Sequence, residues 1–243
     1  MMSSRPVLQV RNISKRFGGL IAVNAISFDV HEHEVLGIIG PNGSGKTTMM
    51  NLISGAAKVS SGSITMQGQL LTEKAPHAIA HMGVARTFQL VKVLPGLSVI
   101  ENVVAGSAFG HVKRWGTDAT FAAEAILERV GLGDHIYSSV TNLTYIDQKR
   151  LELARALASE PKVLLLDEWL AGLNPTELHI GIDLIADLRN DGRTVILVEH
   201  VMDAIRSLCD RCVVMNSGIK IAEGTPNEVL SDPEVIRAYL GDE

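Results

Sequence analysis

The stretch GPNGSGKTT, Gly40 to Thr48, decides how the rest of the chain is read. It matches G-x-x-x-x-G-K-[ST], in which glycines let a loop curl until successive backbone N–H groups face a phosphate. A glycine turn alone is weak evidence, so the flanks matter. Before it, EVLGIIG (34–40) is an apolar run that reads as a buried strand; after it, KTTMMNLISG (46–55) reads as a helix closed by Gly55. The helix N-terminus adds partial positive charge at the phosphate. Gly40, Pro41, Asn42, Gly43, Ser44, Gly45, Lys46, Thr47 and Thr48 are therefore assigned to nucleotide binding. Lys46 would reach the β- and γ-phosphates, and the Thr47 hydroxyl would bind Mg²⁺.

Working outward, VLQVRNISKRFGGLIAVNAISFDV (7–30) has short apolar segments broken at Gly18 and Gly19 and reads as antiparallel strands. GSITMQGQLL (62–71) reads as a hairpin. From about Leu97 to Ala158 the pattern is helical; Phe121, Ala125, Ile126 and Val130 stand near helical spacing. KVLLLD, ELHIGIDLIADLRN, TVILVEH, VMDAIRSLC and RCVVMN then alternate strand and helix, the signal of a parallel sheet with crossover helices. Two short helices are expected to start at Pro226 and Pro233.

The chain has 243 residues, 46% of them hydrophobic, and a net charge of −5. That length supports one large α/β domain with inserted parts. No Lys/Arg block suggests a nucleic-acid surface. No apolar run approaches the ~20 residues that span a bilayer, and MMSSRPVLQV lacks a signal-peptide core. A cytoplasmic protein is expected, with any membrane link made through a partner. Cys209 and Cys212 form a lone CxxC and read as small buried thiols.

Three more stretches carry chemistry. VLLLDE (163–168) is a strand ending in two acids, and carboxylates at such an end lie in the ligand crevice of a parallel sheet. Asp167 would hold Mg²⁺ through water, and Glu168 would act as general base on the attacking water. VILVEH ends in His200, which would donate to a γ-phosphate and position the water. RTFQ ends in Gln89, whose amide would reach Mg²⁺ and the water. His31, His33, His77, His81, His111, His135 and His179 lack such a setting and read as surface residues.

The ordered set GPNGSGKTT, RTFQ, LTYIDQKRLELARAL, VLLLDE, AGLNP and VILVEH resembles an ABC-type ATP-binding cassette over essentially the whole chain. KRFGGLIAVN, TFQLVKVLPGLSVIENV and GIKIAEGTPNEVLSDPEVIRAYLG are similar to the ATPase subunits of branched-chain amino acid importers. The resemblance implies a P-loop NTPase with a mixed-sheet core, an antiparallel β subdomain and an inserted helical subdomain. Residues 1–243 would form one ATP-binding domain, with a RecA-like core and β subdomain over about 1–90 and 159–243 and helices over about 91–158. It implies ATP hydrolysis with Mg²⁺, a second cassette as partner (the same chain or a paralogue), transmembrane permease subunits, and a periplasmic solute-binding protein indirectly. The chain would then lie in the cytoplasm, on the inner face of the membrane. A lipid or lipopolysaccharide exporter ATPase and a soluble non-transport ABC ATPase are the alternatives. A regulatory cassette that has lost hydrolysis is disfavoured because Lys46, Asp167, Glu168 and His200 are all present.

The same resemblance assigns Phe17 to stacking on adenine and adds Val23 to the nucleotide site. Gln89 becomes a switch toward the membrane partner, and Asn174 in AGLNP faces the second subunit. The family signature Leu-Ser-Gly-Gly-Gln corresponds to Leu143, Thr144, Tyr145, Ile146 and Asp147, expected to contact the partner's ATP. Thr144 keeps a hydroxyl, and Thr144 with Asp147 also resembles a helix-capping pair. Ile146 is the sharper departure: a β-branched residue resists positive φ and is expected to hold the phosphate away from the backbone. Trp169 stands where proline is usual, with no role assigned.

Overall fold

The computed structural model describes residues 6–240; MMSSR, the start of the segment read as free of a signal core, lies outside them. β1 (Pro6–Phe17) and β2 (Leu20–His31) form a long antiparallel hairpin turning at Gly18 and Gly19, with β1 also paired to β4 (Ser61–Met66). β4 turns through Gln67 and Gly68, both at positive φ, into β5 (Gln69–Leu70). Such left-handed residues match the right-handed twist of the strands they join. The order of this first sheet is β2-β1-β4-β5.

The second sheet carries the chemistry. It contains β3 (Val35–Ile39), β6 (Val84–Arg86), β7 (Val163–Asp167), β8 (Thr194–Val198), β9 (Arg211–Asn216) and β10 (Ile219–Gly224). Their order is β10-β9-β3-β8-β7-β6, parallel throughout except for β10 at the edge. β6 was not anticipated from the sequence. It has three residues, too few to show a period, and exists because β7 offers it a parallel edge.

The central strands are buried on both faces, and alternation splits their side chains between two cores. Leu36, Ile38, Val163, Leu165, Ile196 and Val198 face the first sheet. They enclose Met49, Met50 and Ile53 of α1 (Lys46–Ile53) between the two sheets. Val35, Ile39, Leu164, Leu166, Val195 and Leu197 face the opposite way. There they meet Ile185 and Leu188 of α6 (Pro175–Asn190), and Ala204 and Ile205 of α7 (Met202–Leu208). Continuous apolar runs, rather than alternating ones, are what two-sided burial requires of these strands.

Between β6 and β7 the chain forms α3 (Val99–Phe109), α4 (Gly116–Arg129) and α5 (Tyr145–Ala158). Ser98 and Glu101 make a capping box at the start of α3. The remaining helices are α2 (Pro76–Met82), and α8 (Pro226–Ser231) and α9 (Pro233–Leu240), the last two beginning at the expected prolines. Gly106 lets α3 lie directly on α5: a Cβ there would sit 2.3 Å from the Arg155 carbonyl oxygen. Gly106→Ala should therefore push the two helices apart and lower stability by about 1–3 kcal/mol, read from urea unfolding midpoints.

Candidate functional site

Register builds the site. Ile38 of β3 pairs with Val198 of β8, which pairs with Asp167 of β7. The residues that follow, Gly40, Glu199 and His200, and Asp167 with Glu168, therefore meet at one carboxyl edge of the sheet. Gly40 has φ +147 and a Cβ there would lie 2.0 Å from the Met215 carbonyl oxygen, so only glycine fits. Gly43 and Gly45 also take positive φ as the loop curls into α1.

A cleft of about 530 Å³ opens over this loop, lined by Asn42 to Thr48 together with Phe17, Leu20, Ile21, Ala22, Glu168, Ser217 and Gly218. Phe17 is half-exposed at the hairpin tip, with the Lys15 ammonium 4.7 Å from its ring centroid. Gly40 and Pro41 do not line the cleft; their carbonyls accept from Lys46 Nζ at 2.8 and 2.9 Å. A lysine ammonium has three N–H donors, so one is left for a ligand. Burial pulls the Lys46 ammonium below its ordinary pKa, while nearby Glu168 and Asp167 oppose that shift.

Val23 is a correction. It is fully buried, belongs to the core beneath the loop and does not line the cleft. Its neighbours Leu20, Ile21 and Ala22 line the cleft instead. Ser217 and Gly218 come from the β9–β10 turn and were also missed. Gly218 N–H donates to the Ser44 carbonyl and Asn24 N–H donates to the Gly218 carbonyl, contacts that only the fold creates.

Glu168 lies between two groups named from sequence. Gln89 Nε2 donates to Glu168 Oε2 at 2.6 Å, and His200 Nε2 lies 2.9 Å from Glu168 Oε1. His200 serves as donor when Nε2 carries the proton. The Glu168 backbone sits at φ +50 and is pinned by its N–H to the Val198 carbonyl at 2.8 Å. A left-handed non-glycine residue costs on the order of 1 kcal/mol, and such strain gathers at sites whose surroundings hold it.

Asp167 is buried, and its Oδ2 accepts from Arg86 at 2.7 Å. Arg86 also donates to Asn51 and Ser54 on and just after α1, so β6 holds Asp167 to the loop's own helix. Asp167 Oδ1 is buried with no hydrogen-bond partner among the described residues. A carboxylate oxygen left so suits a hard cation that keeps most of its waters, and the exposed Thr47 and Gln89 carry neutral oxygens that suit the same ion. Thr47, Asp167 and Gln89 thus fit Mg²⁺. Arg86 went unnoticed because its role depends on β6.

The segment 143–147 is rearranged relative to expectation. Thr144 is the N-cap of α5: its Oγ1 donates to Asp147 Oδ2 at 2.6 Å and accepts from Asp147 N at 3.3 Å. Asp147 also pairs with Arg150 at 3.0 Å. Leu143 and Ile146 are both buried, at 6% and 8% exposure. Ile146 lies inside the first turn of α5 at an ordinary helical φ. The positive φ considered for Ile146 is absent here: the residue is helical and its side chain is buried. Tyr145 is exposed beside Gly172. Asn174 caps α6, accepting from Glu177 N at 3.0 Å while its own N–H donates to Glu177 at 2.9 Å.

Behind the site lies a buried polar group that sequence reasoning missed. Glu199 is 1% exposed and its Oε1 accepts from Leu170 N at 2.7 Å. Burial pushes its carboxyl up to about 7, against the pull of the Leu170 and His200 amides and of Lys149. Cys209 and Cys212 are buried free thiols packed on Gly37.

Known proteins resemble this chain in sequence and in fold. The family model described as "ABC transporter" matches residues 23–171, and "Branched-chain amino acid ATP-binding cassette transporter" matches residues 220–243. The chain is 42% identical to the high-affinity branched-chain amino acid transport ATP-binding protein LivG of Salmonella typhimurium, over 98% of this chain and 99% of that one. It is 39% identical to BraF, of the same description, from Pseudomonas aeruginosa, again over 98% and 99%. Among solved structures, the ADP conformation of MJ1267, an ATP-binding cassette of an ABC transporter, superposes with a TM-score of 0.88 at 33% identity, covering 98% of this chain and all of that one.

Two measurements probe the buried parts of the site. Ile146→Gly removes a buried side chain and adds a helical glycine, so it should cost about 3 kcal/mol in urea unfolding without raising ATPase activity. A raised rate would restore the obstruction idea. Glu199 holds a proton in the folded state that the unfolded chain gives up, so its contribution is full below about pH 4.5 and is lost as pH rises toward 7. Glu199→Gln should remove about 3 kcal/mol of that pH dependence, seen by comparing urea unfolding of both proteins at pH 4.5 and pH 8.

Proposed function

The chain belongs to the ABC transporter family of ATP-binding cassettes, and from that premise we propose that it is the ATP-hydrolysing subunit of an importer for branched-chain amino acids. One observation carries the hydrolytic reading. The Glu168 carboxylate is gripped on both oxygens, by Gln89 and His200, at the wall of the cleft that holds Lys46. The importer reading is supported by the matched tail at residues 220–243 and by the printed names of the relatives.

In this reading the nucleotide lies over the loop 40–48, its base against Phe17 and its phosphates toward the loop N–H groups and Lys46. Glu168 takes a proton from water as the water oxygen bonds to the γ-phosphorus. The bond from that phosphorus to the β–γ bridging oxygen breaks, and ADP and phosphate leave. His200 donates to the γ-phosphate, and Gln89 keeps Glu168 turned toward the water. Mg²⁺, held by Thr47, Asp167 and Gln89, would neutralise phosphate charge. A carboxylate gripped on both sides loses little orientation when substrate arrives, which is the positional advantage such a site requires.

The proposed partners follow the same premise. A second cassette completes the site through Leu143 to Asp147 and Asn174, and transmembrane permease subunits couple hydrolysis to transport. A solute-binding protein outside the membrane would select the solute. A groove of about 490 Å³ lined by Arg86, Phe88, Lys92, Phe109 and Arg155 lies next to Gln89 in sequence and suits a permease segment. No helix among the described residues is long and apolar enough to cross a membrane; the family reading places the chain on the cytoplasmic face, acting through those subunits. We assign residues 1–90 and 159–243 to the core and β subdomain, and 91–158 to the helical subdomain.

Glu168→Gln keeps the shape of the base and removes its proton affinity. In the assembled transporter it should lower ATP turnover at least about 10²-fold while ATP binding persists and an ATP-bound pair accumulates on size exclusion. Normal turnover in that variant would remove Glu168 from the reaction. Uptake of labelled leucine, isoleucine and valine by reconstituted vesicles tests the solute class.

A further inference from the structure

Trp169, which stands where proline is usual, and Tyr145, at a glycine position of the general signature, lie on facing segments of this chain. Lys149 Nζ donates to the Trp169 carbonyl at 2.8 Å, and Trp169 Nε1 donates to the Lys149 carbonyl at 3.2 Å. Each residue is 1% exposed. The two hydrogen bonds run in opposite directions, so each side chain holds the other's backbone. The Lys149 ammonium also lies 5.1 Å from the ring centroid of Tyr145, one helical turn earlier on the same face. Tyr145 in turn reaches Gly172, where a Cβ would come within 3.6 Å of its ring.

Trp169 is held on its other side as well. Gly181 of α6 has no side chain where one would collide with Leu170 at 2.6 Å and press on the Trp169 ring at 3.1 Å. Glu199 fixes the next amide, Leu170 N, at 2.7 Å. Glu168 therefore stands in its left-handed conformation with the Trp169 carbonyl and the Leu170 amide both captured by buried polar side chains. Among the described residues no carboxylate lies within salt-bridge distance of Lys149; Glu199, Glu152 and Glu168 favour its charge at longer range. A nearly inaccessible ammonium spent on a backbone carbonyl is costly unless it has a task.

We propose that Lys149 and Trp169 are positioning residues that lock the first turn of α5 to the segment carrying Glu168, so that engagement of residues 143–147 by the partner's nucleotide is transmitted to this chain's own base. The proposal rests on the hydrolytic and head-to-tail reading above. Lys149 and Trp169 form one buried contact, and the exposed Tyr145 beside Gly172 covers its outer end. The absence of a side chain at Gly181 makes room for it.

The test uses the assembled transporter. Trp169→Phe keeps an aromatic ring while removing the Nε1 donor and part of the buried indole volume; Lys149→Met keeps most of the volume and removes the ammonium. Each should lower kcat for ATP about tenfold, the worth of one positioning hydrogen bond, with KM for ATP and ATP binding by the separate chain unchanged. The double variant should lose little more than either alone, since one contact is broken in both. A merely structural role would lower kcat and ATP affinity together with the thermal midpoint. Trp169 and Trp115 are the two tryptophans of the chain, and Trp115 is exposed. Trp115→Phe therefore leaves Trp169 as reporter. Its emission should change when ATP closes a Glu168→Gln pair, and an unchanged emission overturns transmission. Unchanged kcat in both single variants, with Lys46→Ala inactive, overturns the clasp alone; persistent turnover in Lys46→Ala overturns the hydrolytic reading.

Discussion

Everything functional in this molecule depends on the parallel register that puts Ile38 beside Val198 and Val198 beside Asp167. Strand pairing repeats in steps of two for side-chain direction, so a slip of one residue would turn Asp167 into the apolar core. The two-sided burial of Leu164 through Leu166 and Val195 through Val198 makes that slip prohibitive, because each face has its own core to fill. Once register is set, the phosphate loop, the two acids and His200 have no choice but to share one edge. The energy of apolar burial thus becomes a geometric constraint on polar groups.

Those polar groups are then held by other buried charges. Arg86 bridges Asp167 to α1, and both side chains are nearly inaccessible. Removing one partner of such a pair leaves an uncompensated charge and costs about 3–5 kcal/mol. Behind Glu168, Lys149 and Glu199 each bond a backbone group of the next two residues. Together they support a strained left-handed glutamate without touching the cleft. Part of the stability of this chain is committed to keeping one carboxylate in place.

The segment 143–147 shows how a position can keep its place while changing its chemistry. Thr144 and Asp147 cap α5, so the exposed helix N-terminus is preserved without glycine. Ile146 turns into the protein, and Tyr145 turns toward Gly172. The loss of glycine mattered in prospect because a left-handed backbone was assumed. The helix simply begins at Tyr145 and makes that backbone unnecessary.

Much of the fold and site was legible in order. A glycine loop between an apolar strand and a helix, two acids closing a second strand and a histidine closing a third are local patterns. Local backbone preferences and burial suffice to produce them. The two short helices begun by Pro226 and Pro233, and the turn at Gly18 and Gly19, were legible for the same reason. What only the tertiary structure decided involves partners far apart in sequence: β6 and with it Arg86 on Asp167, the inward turn of Val23, the contribution of Ser217 and Gly218 to the cleft, and the reciprocal bonds of Lys149 and Trp169. None of these leaves a periodic or compositional trace. Val23 turns inward to fill the apolar core, and the polar contacts exist because packing brings a donor within hydrogen-bond reach of an acceptor far away in sequence.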